Sequence, residues 1–337
     1  MRHFFTARLI TLARVYFTVL FGWAIVHAFV LDRWWWMFLL TAFVEWFFML
    51  LPLWLLVAWF TRRRELWLGV SLGLALGAWL YGDLWLPKPP LANANSNETL
   101  TVMTYNMYGF STEPANVVAA IRAAQADVIA IQELNGPTAE ALQRELSGDY
   151  PYQQLNPRPD VTGMGIISRY PLRETTERLA GIWVGPPQVV SVDFQGRPVW
   201  LLNLHPYSSG VGGGLPTTIN SLHWSVQMRE EDAQIVLALA AAHPEPLIVA
   251  ADLNSTDRSS VYALMTSTLT DAWRERGWGW GRTLGGDFKR LPFPLWLIRI
   301  DYIFHSAHWR TESVTLGAWD DSSDHRPVIA RLVWAQD

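Results

Sequence analysis

The hydrophobic positions of this chain follow two patterns. The first part has long continuous apolar runs, and the rest has short apolar segments separated by polar ones. Continuous apolar runs cover residues 9–31, 34–60 and 66–86, of which the third is weaker and rich in glycine. Each run is long enough to cross roughly 30 Å of hydrocarbon as a helix. A signal peptide is the competing interpretation of the first run, but no small-residue cleavage site follows it and two more apolar runs do. The pattern therefore predicts a membrane domain over residues 1–86 with three transmembrane helices.

Basic residues predict the orientation of these helices. Arg2 and Arg8 precede the first run, and Arg62–Arg64 lie between the second and the third, whereas the turn between the first two runs is neutral. The positive-inside rule then places the N-terminus and the loop 61–65 in the cytoplasm. Three crossings put everything after residue 87 outside, so we expect a multi-pass protein of the cell (inner) membrane with an extracytoplasmic domain.

Two charged residues interrupt the apolar runs. Arg14 lies in the first run and Glu45 in the second, and both are costly inside a bilayer. Counted from the inferred ends of the helices they lie at comparable depth, which favours an ion pair between helices. A proton or ion pathway is the alternative.

An alternation of short strands and helices follows a segment, residues 87–99, that is rich in Pro, Asn and Ser and predicts a linker. Fully extended, such a linker reaches at most about 40 Å. The domain after it, residues 100–337, has strands interspersed with helices, which predicts an α/β domain with packed sheets. The predicted strands cover 100–107, 127–134, 188–194, 198–205, 246–254, 297–304, about 312–317 and 327–334, with a further strand pair opening at 163–172, and the predicted helices cover 114–125, 137–147 and about 219–242.

Polar side chains stand at the ends of several of these predicted strands. A buried strand delivers such side chains to the rim of a sheet, and carboxylate, carboxamide and imidazole groups together are what metal-assisted phosphoester hydrolysis requires. The motifs are TYNMYG (104–109), IQEL (131–134), NLH (203–205), ADLN (251–254), RIDYIF (299–304) and SDHRP (323–327).

In this order the motifs resemble those of the endonuclease/exonuclease/phosphatase superfamily, which includes apurinic endonucleases, DNase I, inositol-polyphosphate phosphatases and neutral sphingomyelinases. The resemblance covers residues 100–335. It implies an α/β fold, a four-layer sandwich of two mixed β-sheets flanked by helices, with the site at one rim. The layout of short spans and an extracytoplasmic domain is also similar to membrane-bound members associated with teicoplanin resistance.

The resemblance implies a divalent-metal site for Mg²⁺ or Mn²⁺. Glu133, which ends a predicted buried strand, would be the principal ligand, and a hard cation accepts such a carboxylate readily. Asn106 would add a carboxamide oxygen, and Asp324 would support the metal side. The plainer interpretations are that Glu133 is a solvated strand-end residue and that Asn106 is a turn residue ahead of Gly109.

The resemblance also implies roles in catalysis. Asp252 would position or deprotonate the attacking water, and Asn254 would bond the phosphate, although this pattern is also common in turns. His325 would contact the scissile phosphate and stabilise developing charge, with Asp301 holding its imidazole. His205 would be a second imidazole facing the phosphate, and Asn203, two residues earlier, would point to the same face of its strand.

Charge and composition narrow the choice of substrate. Residues 100–337 contain 18 Lys and Arg against 25 Asp and Glu, a net charge of −7, which counts against an enzyme that grips a nucleic-acid duplex. The chain has no cysteine, so an exported domain must be stable without disulfides. The segment 278–298 carries Trp278, Trp280, Phe288, Phe293 and Trp296 where a soluble nuclease would be expected to carry basic groups. These rings fit either a membrane interface or a buried core.

We therefore expect a membrane-anchored, metal-dependent phosphoesterase that hydrolyses a phosphodiester or pyrophosphate of a lipid-linked substrate. A tethered extracytoplasmic nuclease and a non-catalytic binding or assembly module are the two alternatives. Against the last of these, no expected catalytic position has been replaced.

Overall fold

The computed structural model describes residues 2–89, 99–110, 113–209, 214–285, 294–319 and 321–335. The chain forms two compact units. Met1–Leu86 together with Arg258–Ser260 form the first, and the remaining residues form the second.

The first unit is helical, and three of its segments, Thr6–Val30, Val44–Thr61 and Arg64–Leu84, are long and apolar enough to cross a membrane. Its helices are α1 (Arg2–Val30), α2 (Trp35–Ala42), α3 (Val44–Met49), α4 (Leu51–Thr61) and α5 (Arg64–Tyr81).

The second apolar run is not the single helix over 34–60 that its composition predicts. It breaks at Phe43 and again at Leu50. Pro52 stands in the first turn of α4, where its missing N–H is harmless, but further inside a continuous helix it would clash with the preceding turn. Proline therefore accounts for the second break, and the candidate span begins ten residues later than predicted, at Val44.

The predicted ion pair between Arg14 and Glu45 is wrong. Arg14 Nη2 lies 2.7 Å from Oε1 of Glu65, in the first turn of α5, and both side chains are partly exposed. Glu45 is buried in α3. Equal depth along two helices does not predict an ion pair, because the direction in which each side chain faces decides which charges meet.

Two six-stranded mixed sheets form the second unit. The first has the order β11-β12-β1-β2-β4-β3 and the second the order β5-β6-β7-β8-β10-β9. Neighbours are antiparallel except for the pairs β1–β2 and β7–β8, which are parallel. The strands are β1 (Thr99–Asn106), β2 (Val128–Gln132), β3 (Tyr152–Asn156), β4 (Met164–Ser168), β5 (Leu172–Glu174), β6 (Gln188–Phe194), β7 (Arg197–Leu204), β8 (Leu247–Asp252), β9 (Thr270–Asp271), β10 (Asp301–His305), β11 (Trp309–Leu316) and β12 (Val328–Trp334).

Helices cover the outer face of each sheet. Apolar residues of α6 (Pro114–Ala124) and α7 (Gly136–Leu146) form one core with β1, β2 and β4. Apolar residues of α8 (Leu215–Ala242) and α9 (Ser260–Met265) form a second core with β7, β8 and β10. The short helix α10 (Ala272–Arg276) follows β9. The predicted fold class, two mixed sheets flanked by helices, is thus confirmed. Strand β3 was not predicted because its sequence, YQQLN, is mostly polar, and β9, α9 and α10 were not predicted because they are short.

The predicted linker begins against the second unit. Lys88 Nζ donates a hydrogen bond of 3.1 Å to the carbonyl oxygen of Arg274, next to the end of α10. Residues 90–98 lie outside the described residues.

One buried amide ties the two sheets together. Asn203, on β7, is fully buried, and its Nδ2 lies 3.0 Å from the carbonyl oxygens of both Ile131 and Gly165, which belong to the other sheet. Its Oδ1 accepts a bond of 2.7 Å from Nε2 of Gln132, also in the other sheet. Asn203 therefore faces the first sheet, the direction in which His205 also projects.

Replacing Asn203 should destabilise the second unit. Asn203→Ala leaves buried carbonyl and amide groups without partners, at about 1–3 kcal/mol for a group left unsatisfied. A domain of this size would lose roughly 2–4 °C of Tm per kcal/mol. Thermal unfolding of the full chain in detergent measures the shift. Gln227→Ala, on the exposed face of α8, is the control and should leave the Tm unchanged. Equal Tm values for both variants would contradict the role given to Asn203.

Candidate active site

The polar motifs meet because of strand direction. β1 and β2 are parallel, as are β7 and β8, so the carboxyl ends of each pair lie at one edge of its sheet. Asn106, Glu133, His205 and Asp252 end or follow these strands. β10 runs antiparallel to β8 with Asp301 opposite Asp252, so its first residue reaches the same edge. The site is built where the rims of the two sheets adjoin.

Asn106 lies between the two principal carboxylates. Its Nδ2 donates to Glu133 Oε1 at 3.1 Å and to Asp252 Oδ2 at 2.9 Å. Its Oδ1 accepts from the backbone N–H of Tyr108 at 3.0 Å, which fixes the orientation of the amide. Asn106 was predicted to offer its oxygen to a metal ion. In the structure its nitrogen faces the carboxylates, and it joins one carboxylate from each sheet.

Backbone geometry directs Glu133 into the site. Its φ is +59°, a conformation that costs a residue with a side chain more than it costs glycine. The backbone N–H of Gly109 donates to Glu133 Oε2 at 3.1 Å and holds the carboxylate. A Cβ on Gly109 would lie 2.8 Å from the carbonyl oxygen of Glu133, so this approach requires glycine.

The first imidazole, that of His205, is buried beside both carboxylates. Its Nε2 lies 3.6 Å from Asp252 Oδ2 and 4.0 Å from Glu133 Oε1. Burial lowers the pKa of His205 despite these negative neighbours, and burial raises the pKa of Glu133. His205 is thus held neutral, and its Nδ1 has no hydrogen-bond partner among the described residues.

The second imidazole, that of His325, is held as a cation. Its Nδ1 lies 2.8 Å from Asp301 Oδ2, and its Nε2 lies 3.8 Å from both Asp252 Oδ2 and Asp324 Oδ1. Burial by itself lowers the pKa of His325, but the charges of Asp301 and Asp252 outweigh it and raise the pKa to about 10. Burial raises the pKa of Asp301 and of Asp324. At neutral pH His325 therefore presents a protonated Nε2, which can donate to an anion.

The other two predicted residues, Asn254 and Asp324, lie beside Asp252 and His325. The backbone N–H of Asn254 donates to Asp252 Oδ1 at 2.9 Å, and its Nδ2 donates to the carbonyl oxygen of Pro206 at 3.1 Å. In this structure Asn254 therefore fixes the residue after His205. Asp324 lies beside His325, and its Oδ1 is buried with no hydrogen-bond partner among the described residues.

Two residues that position the His325 side were missed. Thr283 is fully buried, and its Oγ1 accepts from the backbone N–H groups of Ile300 at 3.1 Å and Asp301 at 3.2 Å. Ser323 Oγ donates to the carbonyl oxygen of Asn106 at 2.7 Å and accepts from the N–H of His325 at 3.0 Å. Ser323 had a signal, since it opens the SDHRP motif, but nothing in the sequence marks Thr283.

A buried charge on α8 was also missed. Arg229 is fully buried, and its Nη1 donates to the carbonyl oxygen of Tyr207 at 3.0 Å and to Ser209 Oγ at 2.9 Å. One turn later, Asp232 accepts from the N–H of Ile182, and burial raises the pKa of its carboxyl to about 7. The arginine thus holds the segment that follows His205 against α8.

Among the described residues, one group of three has the spacing of a cation site. Ligand atoms of Asp252, Asp301 and His325 lie within 4.8 Å of one another, and all three residues are buried. An imidazolium cannot ligate a cation, because its two nitrogens both carry protons. The carboxylates of the site, including Glu133, are therefore the better donors for a hard cation.

The aromatic residues of the segment 278–298 differ in their exposure. Trp278 is exposed, whereas Trp280 and Trp296 are half-buried. Phe288 and Phe293 lie outside the described residues.

Sequence comparison supplies the family. Residues 103–325 match the sequence model of the endonuclease/exonuclease/phosphatase family, and this range contains every predicted site residue. No curated protein matches the chain in sequence.

Solved structures share the fold of the second unit. An endonuclease/exonuclease/phosphatase from Beutenbergia cavernae DSM 12333 is 19% identical with a TM-score of 0.51, and the match covers 70% of this chain and 72% of that one. TDP2 from D. rerio, complexed with a single strand DNA product, is 17% identical with a TM-score of 0.53, and the match covers 71% of this chain and 99% of that one. At such identities the likeness shows the fold alone.

Thr283 offers a test of how the site is held. Thr283→Val keeps the shape but removes the acceptor for two backbone N–H groups, so Asp301 should shift and activity should fall about 10-fold or more, since a misplacement of about 1 Å can cost about 100-fold. Thr283→Ser keeps the oxygen and should retain most of the activity. The measurement is kcat/KM on a soluble phosphodiester, with the Tm of each variant. Equal activity of the two variants would exclude a positioning role.

Proposed function

Because the chain belongs to the endonuclease/exonuclease/phosphatase family, whose members are phosphodiesterases and phosphatases, we propose that its second unit is a divalent-metal-dependent phosphoesterase acting on a lipid-linked phosphodiester or pyrophosphate. One observation carries the hydrolase chemistry. Carboxylates from both sheets, Glu133 and Asp252, lie beside one neutral and one cationic imidazole at a shared rim.

The residues present fit a hard divalent cation such as Mg²⁺ or Mn²⁺. Buried carboxylate oxygens of Asp301 and Asp324 have no hydrogen-bond partner among the described residues, and such atoms are costly unless a cation or water satisfies them. Glu133 would hold the ion, with Asp324 in support. When bound, the ion would lower the pKa of a water and neutralise charge on the phosphate.

Side chains of the protein itself supply the other catalytic roles. Protonated Nε2 of His325 donates to a phosphate oxygen and stabilises the charge that develops there, while Asp301 holds its ring. Asp252 Oδ2 orients the attacking water and accepts its proton. Neutral His205 contributes a second imidazole beside the phosphate. Asn106 keeps Glu133 and Asp252 together, and Asn254 holds the segment after His205.

A lipid-linked substrate is supported by features outside the polar site. Three helices of the first unit are long and apolar enough to cross a membrane, and residues 100–337 carry a net charge of −7. A phosphoester held in the membrane would be available to a domain tethered to that membrane, whereas an acidic domain repels nucleic acid. A tethered nuclease is the second candidate, since a neighbour in fold, TDP2 from D. rerio, was solved with a DNA product. The third is a binding module without activity.

Removal of the metal or of either key side chain should lower the rate of turnover sharply. The full chain, purified in detergent with Mg²⁺ or Mn²⁺, is tested on sphingomyelin, phosphoinositides, polyprenyl pyrophosphate, and single- and double-stranded DNA. Glu133→Gln, His325→Gln and chelation by EDTA should each lower kcat/KM by about 100-fold or more, because each removes charge stabilisation in the transition state.

Controls separate the three candidates. Glu140→Gln, on the exposed face of α7, should leave the rate unchanged, and Mg²⁺ should restore the chelated enzyme. Activity on DNA alone would exclude the lipid-linked substrate. Wild-type protein that turns over none of the panel, in a fold confirmed by its Tm, would favour the module.

We further propose that the N-terminus and the loop at Arg62–Arg64 are cytoplasmic and that the second unit lies outside. Because the chain has no cysteine, single cysteines can be added and probed in intact cells with a membrane-impermeant maleimide. Glu140→Cys should react in intact cells, and Arg63→Cys should react only after the membrane is permeabilised. The reverse pattern would overturn this orientation.

A further inference from the structure

Three of the segments that build the site also carry partly exposed aromatic pairs. In each pair the two rings meet edge to face, with centroids 4.8–6.3 Å apart. We call these six residues the aromatic collar: Tyr108, Phe110, Tyr207, Trp224, Trp296 and Trp319.

The first pair follows Asn106. Tyr108 has a φ of +53°, and its N–H is bonded to Asn106 Oδ1, while the N–H of the next residue, Gly109, holds Glu133. Phe110 packs edge to face on Tyr108 at 6.3 Å and is 67% exposed. Hydrogen bonds to the site therefore fix the backbone directly before this exposed phenyl ring.

The second pair follows His205. The carbonyl oxygen of Tyr207, two residues on, accepts from the buried Arg229, so its backbone is fixed. Its ring meets that of Trp224, on α8, at 4.8 Å, and Trp224 is 39% exposed.

The third pair adjoins His325. Trp319 Nε1 donates to the carbonyl oxygen of Ser323 at 2.6 Å, and the ring of Trp296 packs on Trp319 at 5.8 Å. The guanidinium of Arg326 lies 4.3 Å from the centre of the Trp296 ring. This pair thus combines apolar surface with the cation of Arg326, the residue that follows His325.

The three pairs lie close to one site. The members nearest to it along the chain, Tyr108, Tyr207 and Trp319, are each two to six residues from Asn106, His205 or His325. Those three residues all lie within 4 Å of Asp252. The segments that carry the polar site therefore also carry three pairs of partly exposed aromatic side chains.

We propose that the aromatic collar contacts the interfacial region of a lipid leaflet and the apolar part of the lipid whose phosphate enters the site. Trp and Tyr are enriched at that depth of a membrane, where an amphipathic ring satisfies both sides. The membrane is also the apolar surface nearest along the chain, since the third candidate span ends at Leu84 and the second unit begins at Pro87.

Nucleobases are the rival occupant, because they stack on exposed aromatic rings. The net charge of −7 over residues 100–337 disfavours a nucleic-acid strand, whose backbone needs basic partners. The inference rests on the proposed function only for the identity of the substrate. Contact between the aromatic collar and lipid can be measured without any turnover.

The full chain in liposomes of phosphatidylcholine and phosphatidylglycerol tests the contact. Because there is no cysteine, Phe110→Cys and Trp224→Cys can each carry one nitroxide label. Electron paramagnetic resonance then compares collisions with oxygen, which concentrates in lipid, and with Ni-EDDA, which stays in water. Tyr152→Cys is the control, since it is also exposed but lies at the opposite end of its sheet from Glu133.

For the labels at 110 and 224, the ratio of collisions with oxygen to collisions with Ni-EDDA should be at least about 3-fold higher than for the label at 152. This difference should appear only in detergent-free lipid. A water-like ratio at either collar position would overturn the proposal. So would protection of both labels from Ni-EDDA by a single-stranded oligonucleotide but not by lipid. If Trp224→Cys lowers the Tm, Trp296→Cys replaces it. If lipid contact is found but no phosphoester is hydrolysed, the proposed function fails while the membrane contact stands.

Discussion

The structure depends on joining two sheets through buried polar groups without leaving those groups unsatisfied. Asn203 does this in the interior, where its amide contacts carbonyl oxygens of the opposite sheet. Asn106 does it at the rim, where one nitrogen contacts Glu133 and Asp252. Two buried carboxylates repel each other and are poorly solvated, so a shared donor lowers the cost of holding them together. The active-site geometry follows from this link.

Two imidazoles with opposite pKa shifts give the site its chemical asymmetry. Burial lowers the pKa of His205 and keeps its ring neutral, whereas His325 is paired directly with Asp301 and held as a cation. Groups whose environments push their pKa values apart take different roles in catalysis. The cationic ring suits an anionic substrate, and the neutral ring can accept a proton or a hydrogen bond. Thr283 and Ser323 matter because they fix the segments on which this pairing depends.

Polar chemistry at the centre, with aromatic side chains on the same segments, would suit the amphiphilic substrate that we propose. The same hydrogen bonds that hold Asn106 and Glu133 also hold Tyr108 and Gly109, and the next residue, Phe110, is exposed. A soluble enzyme gains nothing from such exposure, because transferring apolar surface out of water is favourable. An enzyme placed beside a bilayer, as we propose, would gain contact with a lipid-linked substrate.

The apolar runs, most of the strands and the residues at their ends could be predicted from the sequence, because a spanning helix is apolar along its whole length and a strand packed on both faces is a short continuous apolar run. The resemblance of the motifs at the strand ends to those of a known family, rather than their periodicity, placed Glu133 and His325 in one site. Only the tertiary structure decided which atoms meet. Arg14 pairs with Glu65 rather than with Glu45, and Asn106 turns its nitrogen rather than its oxygen to the carboxylates. Such choices depend on how elements rotate against each other, and that rotation is set by packing between residues distant in the chain.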